Sequence, residues 1–110
     1  MTNTLPLRKP LILVVDDAAV MREFCRQVLT EAGFDVALAE RGEEALELFA
    51  LLKPDLVLLD VVMPGMDGFA VCSALRQVPH GAGIPIIMVT GLDDPESIQN
   101  AFEIGATDSV

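Results

Sequence analysis

The sequence predicts an α/β domain with a parallel sheet, and three observations carry that expectation. Short apolar runs rich in branched residues recur at Leu11 to Val15, Leu56 to Leu59 and Ile84 to Val89. The segments between them carry apolar residues at helical spacing, and Gly or Pro marks most of the junctions. A strand that is apolar at every position needs cover on both faces, and alternating amphipathic helices supply it. Crossovers in such a sheet are right-handed. The pattern alone does not contain the strand order.

Leu11-Ile-Leu-Val-Val15 is the first strand. Met21, Phe24, Cys25, Val28, Leu29 and Ala32 then fall at i, i+3, i+4, i+7, i+8 and i+11, so the first helix has one apolar face, expected to point inward. Gly33 is its C-terminal cap. Val36 to Ala39 is a second, weaker strand. Residues 43 to 52 form the second helix, with Ala45, Leu46 and Phe49 inward and Glu43 and Glu44 at its positive end. Lys53-Pro54-Asp55 breaks the chain before the third strand, Leu56 to Leu59, which Asp60 ends. Met63-Pro-Gly-Met-Asp-Gly68 is a loop, and a third helix runs from about Phe69 to Val78 with Val71, Cys72, Leu75 and Val78 inward. Pro79 to Gly83 is expected to be a flexible loop. Ile84 to Val89 is the fourth strand, with Pro85 tolerated near its start. Asp94 and Pro95 open a fourth helix, with Ile98, Ala101 and Phe102 inward and Gly105 at its end. Thr107 to Val110 begins a fifth strand.

The 110 residues suggest one domain, with a short tail over residues 1–9 and the folded unit over 10–110. Hydrophobic residues make up 52%, enough for a core. The net charge of −10, from 7 basic and 17 acidic residues, excludes direct nucleic-acid binding and an anionic membrane surface as functions. It suits solubility, a basic partner or cations. The apolar run after Arg8 and Lys9 is too short for a signal peptide, and nothing approaches a membrane span. Cys25 and Cys72, far apart among apolar helix positions, read as buried free thiols in a reducing, cytoplasmic setting.

Asp16, Asp17 and Asp60 each follow an apolar strand. In open α/β sheets ligands bind at the C-terminal strand edge. If the first and third strands are neighbours, three carboxylates converge, and their repulsion calls for a proton or a hard cation such as Mg²⁺. Taken singly, each is an ordinary cap or turn residue. Thr90 ends the fourth strand on the same edge, where its hydroxyl could face a bound anion. His80 reads as an ordinary loop residue, and Met63 and Met66 as packing residues at the mouth of the site.

The blocks Leu13-Val-Val-Asp-Asp17, Leu58-Leu-Asp-Val-Val-Met-Pro-Gly-Met-Asp-Gly68, Thr90-Gly91 and Gly105-Ala-Thr-Asp108 closely resemble, in order and spacing, the receiver domains of two-component response regulators. The resemblance runs from Pro10 onward. It implies a flavodoxin-like, doubly wound sheet in the order 2-1-3-4-5. It implies that Asp60 is the phosphoacceptor, that Asp17 is a direct Mg²⁺ ligand and that Asp16 acts through water. The backbone carbonyl of Val62 is the implied third protein ligand, and Thr90 the phosphoryl contact that shifts on activation. The implied partners are a histidine kinase or phosphotransfer protein and an output domain C-terminal to this segment. The implied chemistry is confined to the domain's own aspartate rather than to turnover of a substrate.

The sequence departs from the family's pattern at its end. Val110 falls just before the usual Lys of the fifth strand, so a truncated fifth strand and an absent fifth helix are expected, with a bared surface that favours a homodimer. Ser109 stands where an aromatic is usual, and Gly91 where Ala is commoner. Lys53 lies at the opposite edge of the sheet. Two other classes compete with a phosphorylated switch. A small phosphohydrolase would need a general acid and a capped substrate pocket, which the sequence does not show. A degenerate, phosphorylation-independent interaction module fits the missing Lys but not the intact Asp16, Asp17, Asp60 and Thr90.

Overall fold

A computed structural model describes residues 8–89 and the strand Asp108–Ser109. Thr90 and the expected fourth helix beyond Asp94 lie outside the described residues. The elements are β1 (Leu11–Val15), α1 (Ala19–Glu31), β2 (Asp35–Ala39), α2 (Gly42–Leu52), β3 (Leu56–Asp60), α3 (Gly68–Gln77), β4 (Ile86–Val89) and β5 (Asp108–Ser109). All strand pairings are parallel, in the order β2-β1-β3-β4-β5. The order expected from the resemblance is the one observed.

The two faces of the sheet are covered differently. Leu13, Val15, Val57, Leu59, Ile86 and Met88 share one face and pack with Ala45 and Phe49 of α2 and Val71, Cys72 and Leu75 of α3. Each of these side chains is almost fully buried. On the other face Ile12 and Val14 are buried, whereas Leu58 and Ile87 are only partly so. Among the described residues α1 alone packs there, over β1 and β2.

That asymmetry corrects the expectation for α1. No residue of the helix is fully buried. Met21, Phe24 and Val28 are exposed, Phe24 by 59%, and Cys25 and Leu29 are intermediate. The periodicity marks an apolar stripe correctly, but only its Cys25–Leu29 side rests on the sheet. Cys72 is buried as expected; Cys25 is not.

The helix ends follow from local chemistry. Beyond α1, Gly33 adopts φ +100°, a left-handed conformation open to glycine. It lets Gly33 N–H reach the Thr30 carbonyl and Phe34 N–H the Leu29 carbonyl, the paired closure of a Schellman cap. Asp67 caps α3 by accepting from Ala70 N–H at 2.9 Å. At the base of the sheet, Leu11 N–H donates to Asp55 Oδ2 at 2.7 Å and Asp55 N–H donates to the Leu11 carbonyl at 2.8 Å. Arg8 forks onto the same carboxylate at 2.8 and 3.1 Å. These bonds set the register of β1 against β3 from the end opposite the acidic residues.

The segment after α3 is ordered rather than loose. His80–Ala82 forms a single 3-10 turn. Arg76 donates to the carbonyls of Gly81 and Ile84, both at 2.7 Å. His80 Nε2 lies 2.7 Å from the Pro54 carbonyl and its ring sits 5.3 Å from that of Phe49. Partners drawn from α2, α3 and the segment before β3 hold a stretch whose composition alone reads as flexible.

Candidate metal and phosphoacceptor site

The register of β1 against β3 decides the site. Val14 pairs with Leu58 and Val15 with Leu59. Asp16, one residue past β1, and Asp60, the last of β3, therefore leave the sheet side by side at its C-terminal edge. One carboxylate oxygen from each of Asp16, Asp17 and Asp60 lies within 4.8 Å of the others. The sequence reading brought these three together, and the structure does the same.

Asp16 and Asp60 are held by backbone. Asp16 N–H donates to the Ala39 carbonyl at 3.0 Å, and its Oδ1 accepts from Ala18 N–H at 2.9 Å. Its own carbonyl accepts from Arg22 Nη1 at 2.7 Å. Asp60 Oδ1 accepts from Val62 N–H at 3.2 Å. Val62 turns its side chain outward, 63% exposed, while Val61 and Met63 on either side are buried. The loop is thus anchored by alternate residues. Gly68 fixes its far end by donating to the Val61 carbonyl at 3.0 Å.

The electrostatics follow from burial first and crowding second. Burial pushes the Asp60 carboxyl up to about 6, and the neighbouring charges of Asp16 and Asp17 push in the same direction, against a lowering by the Val62 N–H bond. A raised carboxylate among two others at a strand edge marks a place where negative charge is concentrated and incompletely screened. The donors are all oxygens and close enough to share one ion, which fits a hard divalent cation and not a soft metal.

A cleft of about 530 Å³ opens beside the carboxylates, lined by Asp17, Glu40, Arg41, Glu43, Pro64 and Gly65. Sequence reasoning did not place Glu40, Arg41 or Glu43 at the site. Their one signal is position, just after β2, whose end lies beside that of β1. It also did not single out Arg22, whose two partners come from other segments.

A profile of the response regulator receiver domain matches residues 12–110. The chain belongs to the response regulator receiver domain family. It is 44% identical over 104 residues to a probable transcriptional regulator, ycf27, of Cyanophora paradoxa, an alignment covering 94% of this chain and 42% of that protein. The chain thus spans about two fifths of that relative's length. The structure is similar to that of the chemotaxis protein CheY4 of Vibrio cholerae, with a TM-score of 0.90, 33% identity, and coverage of 93% of this chain and 85% of that one. A chain of the CheX-CheY-BeF3-Mg²⁺ complex from Borrelia burgdorferi gives a TM-score of 0.84 at 27% identity, covering 92% of this chain and 76% of that one. The receiver therefore has a CheY-like, flavodoxin-type fold. Among the described residues no helix is long and apolar enough to cross a membrane.

Proposed function

We propose that this receiver accepts a phosphoryl group on Asp60 from a partner histidine kinase or phosphotransfer protein and passes the change to an output domain. The convergence of Asp16, Asp17 and Asp60 at one strand edge carries the reading. In the reaction an Asp60 carboxylate oxygen bonds to phosphorus as the bond to the donor nitrogen breaks, leaving an acyl phosphate. With its pKa near 6, Asp60 is mostly ionised at pH 7 and available as the nucleophile. Asp17 and Asp60 would hold Mg²⁺ directly, together with the Val62 backbone carbonyl, and Asp16 through water. When bound, the ion screens the repulsion between the anionic nucleophile and the anionic donor. The Val62 N–H, already on Asp60 Oδ1, restrains the orientation of the carboxylate. Thr90, one residue beyond β4, is proposed to contact the phosphoryl group and to move when about two negative charges arrive. The setting proposed is the cytoplasm.

Calorimetric titration with MgCl2 tests the metal assignment. The wild type should bind weakly and Asp17→Asn at least tenfold more weakly, since a direct ligand is lost. Equal affinity in the two proteins would remove Asp17 from the ligand set.

A further inference from the structure

We infer that Arg22 is a positioning residue for the metal site, holding the Asp16–Asp17 turn in the orientation that lets Asp17 face Asp60. The inference rests on the metal-site reading above and adds to it a residue that touches neither ion nor phosphoryl group. Arg22 projects from the second turn of α1, a helix with no fully buried residue. Its side chain is nevertheless only 16% exposed, because it folds back over the strand ends. Nη1 donates to the Asp16 carbonyl at 2.7 Å, and Nη2 reaches Glu40 Oε2 at 3.3 Å. One guanidinium thus ties the β1–α1 turn to the β2–α2 turn, which together form one wall of the cleft.

The shorter contact matters more. The Asp16 carbonyl belongs to the peptide that joins Asp16 to Asp17. At its other side Asp16 is fixed by its N–H on the Ala39 carbonyl. Asp17 itself lies in no strand or helix, so the plane of that peptide decides where its Cβ points. A charge-assisted bond at 2.7 Å is the strong kind and has a defined direction. Glu40 balances the guanidinium charge, so Arg22 acts by geometry more than by neutralising the carboxylates. The fork matches Arg better than Lys, which offers a point charge. Groups that orient a metal ligand from behind change metal affinity when removed, typically tenfold or more.

The test is MgCl2 calorimetry at fixed pH on the wild type, Arg22→Met and Arg22→Lys, with thermal melts in chelator as the control for folding. The expected result is a loss of about tenfold in affinity for Arg22→Met, recovered to within about threefold by Arg22→Lys, whose ammonium still reaches one carbonyl. A purely structural role would lower the melting temperature and leave the affinity alone; that result overturns the inference. Lys as weak as Met also overturns it, since restoring a donor to the Asp16 carbonyl would then not restore the affinity. If Arg22→Met does not fold, Arg22→Gln is read by the same tenfold criterion. A wild type that binds no Mg²⁺ overturns the metal reading and this inference together. A wild type that binds beside an equally tight Arg22→Met overturns the inference only.

Discussion

Gly68 lies against the backbone of Asp60: a Cβ on Gly68 would stand 2.4 Å from the Asp60 carbonyl oxygen and 2.7 Å from Val61 Cα. Both contacts are with main chain at the end of β3 and cannot be relieved by a rotamer change. The first residue of α3 therefore has no side chain because the site's strand end occupies that space. Gly68→Ala should cost about 2–3 kcal/mol, the upper range for overpacking a rigid site. It should also displace the 61–67 loop. Urea unfolding reads the first effect, and Mg²⁺ affinity the second. Wild-type values in both would mean that the loop tolerates the shift.

Asp60 imposes a pH dependence on the metal-free domain. Its folded pKa, near 6, lies above the unfolded value, so the folded state holds the proton more tightly. Its contribution is therefore most favourable below about pH 4 and is lost as pH rises through 6. Asp60→Asn should remove this term and stabilise the protein at pH 7 by on the order of 1 kcal/mol, allowing for solvent screening of a partly exposed group. In chelator, the gain in melting temperature of Asp60→Asn over wild type should be large at pH 7 and small at pH 4. A gain independent of pH would show that burial and crowding of the ionised carboxylate are not its cause.

Asp55 works in the opposite direction. The Arg8 fork and then the Leu11 N–H hold its carboxyl down at about 2. The stability it contributes is present above about pH 4 and disappears as pH falls towards 2. Asp55→Asn should cost on the order of 1 kcal/mol at neutral pH, mostly because the part-buried Leu11 bond exchanges a charged acceptor for a neutral one, since the Arg8 pair is exposed. Denaturant melts from pH 7 to pH 2.5 should show the two proteins converging in acid. A constant gap would assign the effect to packing.

The strands and the acidic triad were legible in the sequence for one reason. A parallel strand is short and apolar throughout, so an aspartate at its end stands out, and parallel pairing sends every such end to the same edge. What was missed depends on partners distant in sequence. The stripe on α1 shows that Phe24 and Val28 share a side, but nothing in the spacing says that only Cys25 and Leu29 meet the sheet. The 79–83 segment reads as loose because Gly and Pro carry no periodicity. Its order comes from Arg76, Pro54 and Phe49. Arg22 carries no signal in the sequence, because an arginine on an amphipathic helix normally points to solvent, and its acceptor on Asp16 is a carbonyl that no side-chain pattern reveals. Thr90 lies outside the described residues and stays an expectation from resemblance.

Phosphorylation of Asp60 is read most directly by intact-mass spectrometry after treatment with acetyl phosphate and Mg²⁺. One added phosphoryl group is expected on the wild type, none on Asp60→Asn, and none on either protein in chelator. An adduct that persists in Asp60→Asn, or that forms on the wild type without a divalent cation, would contradict it.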